Sequence, residues 1–362
     1  MNWWRLRQLE SGDSRKRQRA ARELGRSRDR RAVEPLLALM KSHDLPGDVA
    51  AAALGSIGDP SAVEPLGEYL HRQLDLDAPV VASAVMSALR DPGDRRAIPA
   101  LLMALRSQNA RIREPAADAL SHLGWAPTND AETALVAVAK GQWDHCRGLG
   151  EAAVAPLAHL LYDERGRVVQ EVANALAKIG GPAATDVLLT TFFKEARPGS
   201  GAHLEVMRSL VSLGPDVAGP FASRLREEMR KVEAALSGMA WDSPDVQGYE
   251  THVREAAAHL CAEIGGPAMP ALLELARDPD RRVRLAAVEA IAFIPDPRAL
   301  PALELALADP SNAVSVLAVK ALQRRGWEPA DDETRRLRDT AVKRSQEYEY
   351  KGLGRRLEGE RP

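Results

Sequence analysis

Apolar residues recur along most of the chain at i, i+3, i+4 and i+7, in short blocks separated by corners rich in Pro, Gly and Asp. The stretch 278–309, DPDRRVRLAAVEAIAFIPDPRALPALELALAD, shows the arrangement most plainly. Its spacing predicts one helix over 281–293 and a second over 297–308, with Ile294, Pro295 and Asp296 at the corner. Each block carries one apolar stripe and is too short to stand alone, so the two need each other and further copies of themselves.

The copies can be aligned by eye. RRAVEPLLALM (30–40), GDPSAVEPLGEYL (58–70) and GDRRAIPALLMAL (93–105) share an Ala followed by a branched aliphatic residue: Ala32-Val33, Ala62-Val63 and Ala97-Ile98. A proline follows within the first turn (Pro35, Pro65, Pro99), where a helix tolerates it because its first N–H groups have no intrahelical acceptor. An Asp ahead of the helix (Asp59, Asp296) can cap those donors. Ala153, Ala183, Ala268 and Ala299 continue the series, mostly at gaps of about 30–35 residues, the spacing of a solenoid. The first helices also match one another. Arg113, Arg254 and Arg284 stand early in theirs, before pairs of small residues, and are expected to tie neighbouring repeats together.

The run V-R-x-x-A-A-x-A-(L/I)-x-x-I-x-D-P-R-A-(V/L)-x-x-L resembles the HEAT repeat of the bilin-lyase-like subtype, over most of 13–325 and in about nine units, with 201–236 degenerate. The resemblance implies an all-α fold, a right-handed α-solenoid of helical hairpins, with first helices on the convex side and second helices on the concave side. A short helix over 1–12 bearing Trp3, Trp4, Leu6 and Leu9 is expected to cap the first repeat, and a helix over 326–345 the last. Residues 346–362, rich in Gly and charge, are expected to form a flexible tail. Two segments break the period. The insert 125–149 falls inside the fourth repeat and carries a helix starting near Thr128 or Asp130, then a turn at 143–147. The insert 237–250 reads as a long loop ahead of the seventh repeat, the place where a special contact is expected. The sequence 326–334, GWEPADDET, echoes 124–133, GWAPTNDAET.

Composition narrows the function. Of the 362 residues 45% are hydrophobic but only 4% aromatic, so Ala and Leu carry the packing. The net charge of −2 speaks against a broad phosphate-binding surface and makes nucleic acid an unfavoured partner. Two distant cysteines, Cys146 and Cys261, suggest neither a disulfide framework nor a metal motif. No leader or membrane-spanning stretch is expected; the reading is a cytoplasmic protein without a membrane partner.

The eight histidines lack metal-ligand spacing, and the His-Glu dipeptides that hold iron in deoxyhypusine hydroxylases are missing. No catalytic residue, metal ligand or cofactor is assigned. Trp143-Asp144 and Trp241-Asp242 superficially resemble the Trp and Asp of HEAT-like DNA glycosylases but read as loop anchors, with Trp packed on a repeat and Asp capping the next turn. The expected role is a protein-interaction scaffold acting through the concave face. The alternatives are a bilin lyase, which would need clustered aromatic and basic groups where Phe and Tyr look scattered, and a HEAT-like nucleic-acid binder. Candidate partner-binding positions are Tyr69, Arg72, Arg106, Trp143, His159, Tyr162, Arg224, Arg226 and Trp241.

Overall fold

The computed structural model describes residues 3–107, 109–162, 166–194, 201–238 and 244–358, and every regular element among them is helical. The chain divides into two compact units, Met1–Val168 and Val169–Pro362. Each is an α-solenoid of paired helices.

Unit 1 contains α1 (Trp3–Gln8), α2 (Ser14–Arg26), α3 (Val33–Lys41), α4 (Gly47–Ile57), α5 (Val63–Asp75), α6 (Pro79–Arg90), α7 (Ile98–Leu105), α8 (Ala110–His122), α9 (Asp130–Ala139), α10 (Trp143–Gly148) and α11 (Val154–Ala158). The first helices α2, α4, α6 and α8 stack in chain order, and α5 stacks on α7 beside them. Small residues set the spacing of the first helices. A Cβ on Gly25 would stand 3.0 Å from the Ala53 Cα, and one on Gly55 only 2.6 Å from the Ala88 Cα. The backbone of α6 cannot yield there without moving the whole helix. Gly55→Ala is therefore expected to cost about 1–3 kcal/mol despite the better helix propensity of alanine, read as a lowered urea midpoint.

The corner chemistry repeats as the sequence suggested. Asp29, Asp59 and Asp94 each accept the backbone N–H of the residue two further on, at 3.2, 3.0 and 2.9 Å. The recurring alanines Ala32, Ala62 and Ala97 close a short 3-10 turn behind these caps and are buried, so the second helix enters at a fixed angle. Arg31 and Arg96 fold back onto their own Asp, and Arg96 also reaches the preceding repeat, its Nη2 donating to the Pro60 carbonyl at 3.0 Å.

Unit 2 contains α12 (Gly166–Ile179), whose first turn holds the boundary, α13 (Gly181–Lys194), α14 (Gly201–Ser212), α15 (Ala218–Gly238), α16 (Pro244–Ile264), α17 (Met269–Leu275), α18 (Arg281–Phe293), α19 (Ala299–Ala306), α20 (Asn312–Arg324) and α21 (Asp332–Glu358). The first helices α16, α18 and α20 stack in order. Asp296 repeats the corner: it accepts from Arg298 N at 2.8 Å, and Arg298 Nη2 donates onward to the Gly266 carbonyl at 2.8 Å. Hydrogen bonds from the Arg298 side chain, then from its backbone N–H, hold the Asp296 carboxyl down at about 2.

Two of the three arginines expected to tie neighbouring repeats together, Arg254 and Arg284, do so. Arg284 makes a bidentate pair with Asp309 of the next repeat, at 2.8 and 3.0 Å, and donates to the carbonyls of Asp278 and Pro279. Arg254 reaches Glu289 at 3.1 Å. Arg17 plays the same part in unit 1, donating to the Asp44 carbonyl at 2.9 and 2.7 Å. Arg325 caps the end of α18 through the carbonyls of Ile291, Ala292 and Ile294.

Three details differ from the sequence expectation. Much of 237–250 is helix, because α15 runs to Gly238 and α16 begins at Pro244; residues 239–243 lie outside the described set. The closing helix does not stop near 345 but continues to Glu358, through most of the stretch assigned to a tail. The phenylalanines are not scattered. Phe192, Phe193 and Phe221, three of the four in the chain, are buried together with His203, which stacks on Phe192 at 4.5 Å. They lie where the small-residue repeat is most degraded, and large rings take over the filling of the core.

Candidate functional site

The segment that interrupts the repeat in unit 1 folds into α9 and α10. The helix α9 starts at Asp130, one of the two positions expected, and Asn129 just ahead of it supplies the side-chain cap. Asn129 Oδ1 accepts from Glu132 N at 2.9 Å, while the Glu132 carboxylate accepts from the Thr128 N–H at 2.7 Å. That backbone donor is the main reason the Glu132 carboxyl titrates low. The arrangement is a capping box displaced by one residue, since the return bond comes from Thr128 and not from the capping Asn129 itself. Asp331 caps α21 in the echoed sequence, accepting from Thr334 N at 2.7 Å.

Just past the end of α9, Gly141 takes a left-handed φ of +63° and turns the chain into α10. Trp143 follows at once, its ring carbons 3.8 and 4.0 Å from where a Cβ on Gly141 would stand. This turn opens a cleft of about 460 Å³ between α8 and the end of α9. Val138, Ala139, Trp143 and Val168 form its apolar part, and Arg113, Glu114, Asp118 and Lys140 its polar part. Glu114 and Asp118 are exposed and one turn apart on α8, whereas Arg113 is only 2% exposed. The cleft thus offers an indole and small aliphatic side chains beside two carboxylates on one wall and an exposed ammonium on the other. Its size lies in the range that holds a small ligand or one or two inserted side chains.

Nucleophilic chemistry finds little support near it. Cys146 on α10 is buried, and burial pushes its thiol up to about 11, so it stays protonated at neutral pH. Burial likewise raises Cys261 in unit 2. Among the described residues, no three His, Cys, Asp or Glu side chains converge as a metal site would need, and no helix is long and apolar enough to cross a membrane.

The eight described candidate positions differ in their surroundings. Trp143 is half-buried and lines the cleft. Arg106, His159 and Tyr162 are exposed, and so is Arg72, whose guanidinium covers the Tyr69 ring at 5.6 Å. Tyr69 itself is 4% exposed and belongs to the core, with its hydroxyl end packed against Gly47. Arg224 is 9% exposed and engaged by Asp186 at 2.7 Å, Glu227 at 3.0 Å and Thr190. Arg226 bridges to Asp278 and Glu274, at 2.7 and 2.8 Å. Both arginines therefore hold repeats together and are not free to bind. Trp241 lies outside the described residues. Asp144 does not cap the following turn; it is exposed and pairs with Arg147 within α10. Sequence periodicity had no way to mark Glu114, Asp118 and Lys140, since each is an ordinary polar residue on a helix face until α9 folds across α8.

Comparison with known proteins agrees with the architecture. Residues 4–77 and 247–341 match the family model of HEAT repeats, and 96–124 that of the armadillo/beta-catenin-like repeat; neither is the bilin-lyase subtype. No curated protein matches the chain. Similar solved structures include an engineered protein (20% identity, TM-score 0.28, 91% of this chain and 99% of that one) and Kap121p (15% identity, TM-score 0.35, 88% and 40%). Importin beta is another (16% identity, TM-score 0.31, 94% of this chain), and the present chain spans 56% of its length. With paired helices, capped corners and arginine rungs recurring through both units, and with matches to the repeat model near both ends, the chain is a HEAT-repeat protein.

Proposed function

We propose that the protein is an interaction scaffold without a catalytic step of its own, and that its partner is another protein that inserts a segment into the cleft between α8 and α9. The observation that carries this reading is the position of the cleft. The regular repeats spend their side chains on one another, while the departure from the repeat creates a polar opening with an indole wall. Glu114 and Asp118 beside Val138, Ala139 and Trp143 suit a segment that presents a basic side chain next to an apolar one. Aromatic anchors of this kind tend to carry a large share of binding energy.

Affinity capture from the source cells tests the proposal. The wild-type chain should retain a protein in stoichiometric amount. A Trp143→Ala, Asp118→Lys double variant with unchanged helical circular dichroism should lose it, and a Leu305→Ala control should keep it. Equal retention by the double variant would remove the cleft from the interface.

A further inference from the structure

We propose that the N-terminal end of unit 1 docks on an anionic lipid surface through Trp3, Trp4 and an arginine stripe on α2. The near-neutral total charge conceals a local excess. Residues 1–31 hold eleven of the 49 basic residues but only four of the 51 acidic ones. On α2, Arg15, Arg19, Arg22 and Arg26 follow i, i+4, i+7 and i+11, a single face about 16 Å long, and all four are exposed. Arg19 is paired with Glu23 at 3.1 Å, while Arg15, Arg22 and Arg26 carry no ion pair among the described residues.

The indoles belong to the same surface. Arg5 reaches Glu23 at 2.9 Å, the carboxylate that also holds Arg19, and the Arg5 guanidinium lies 5.2 Å over the Trp4 ring. Behind them, Leu9 is buried against the first repeat, so α1 is anchored at one end and presents its aromatic end outward. Trp3 is 62% and Trp4 46% exposed, although Trp is the side chain that gains most from leaving water at a membrane interface. Adjacent exposed indoles beside unpaired arginines form a two-part anchor: the rings enter the headgroup layer and the guanidinium groups meet lipid phosphates and carboxylates. A nucleic acid could use the same arginines, but one face of Trp4 already carries Arg5, which makes it a poor platform for stacking bases. That no helix among the described residues is long and apolar enough to cross a membrane does not bear on this mode, because the helix would lie on the surface.

Flotation of the full chain with vesicles tests the inference. Vesicles of phosphatidylcholine containing phosphatidylserine should carry the protein at low salt, and vesicles of phosphatidylcholine alone should not. Arg15→Glu, Arg22→Glu and Arg26→Glu together should weaken binding by at least roughly tenfold. Trp3→Ala with Trp4→Ala, a change confined to exposed side chains, should remove the binding that persists at raised salt and abolish a blue shift in tryptophan emission. Absence of flotation with the anionic vesicles would overturn the proposal, as would flotation unaffected by either set of changes. So would retention on single- or double-stranded DNA that the charge reversal abolishes while vesicles fail to bind. The cleft variant Trp143→Ala should float normally, so this test and that of the protein partner fail separately.

Discussion

Phe192→Ala is expected to destabilise unit 2 by about 3–5 kcal/mol, among the largest effects available to a single substitution in this chain. The ring is fully buried on α13, stacks on His203 of α14, and meets the edge of Phe193 at 5.3 Å; Phe193 in turn packs against Phe221 of α15. Its loss leaves a cavity at the meeting point of three helices and removes aromatic contacts that add to the area term. Elsewhere the repeats interlock through alanines, and neighbouring helices can close over a small void. Here the helices are propped apart by rings, so collapse is harder. Urea unfolding monitored by hydrogen exchange of α13–α15 reads the effect. Phe293→Ala supplies the contrast: that ring is exposed beneath Arg324, and its removal should stay within about 0.5 kcal/mol of the wild type.

Ile291→Ala should cost about 2–5 kcal/mol, and Leu285→Ala about 1 kcal/mol or less, although both lie on α18 in the most regular repeat. From the sequence both look like core positions. The structure separates them. Val283, Ala287, Ile291 and Ile294 form one buried stripe, and Ile291 is completely buried. Leu285 is half-buried and lines a groove of about 230 Å³ with Ala313, Val316 and Leu317 of α20, rimmed by Arg254, Glu289 and Lys320. A first helix in such an array touches its partner, the previous first helix and the next one. Its apolar arc is therefore wider than one stripe, and the outer edge of that arc stays partly wet. Urea midpoints of the two variants decide the register: equal losses would mean that Leu285 faces the core.

Much of the local construction was legible before the structure. The helix predicted over 281–293 is α18 residue for residue, because a cap at Asp280 and the corner at Ile294–Asp296 bound it. The Asp caps and the arginine rungs were legible for the same reason: they act within a few residues or recur at a fixed period. The candidate binding residues fared differently. Tyr69, Arg224 and Arg226 sit on polar-looking stretches of second helices, yet their side chains are spent inside the array: Tyr69 packs on Gly47 of its own repeat, and Asp186 and Asp278 of neighbouring repeats receive the two arginines. Single-repeat periodicity cannot register a partner more than thirty residues away. The basic face of α2 was missed because the whole-chain charge averaged it away, although the charge of 1–31 alone displays it.

Of the two departures from regularity, one has the conformation expected of it and the other does not. The segment 125–149 folds into helices that wall a cleft, as its capping residues allow. The segment 237–250 was read as a loop, but Pro244 occupies the first position of α16, where a proline starts a helix and does not interrupt one.

The claim that a protein partner enters the cleft between α8 and α9 is tested most directly by photo-crosslinking in the source cells, with a benzoylphenylalanine placed at Lys140 on the exposed rim. The account predicts one dominant protein adduct, absent when Asp118→Lys and Trp143→Ala are introduced and not formed from the same probe at Leu305. Adducts at Lys140 that survive both substitutions, or that match those at Leu305, would contradict it.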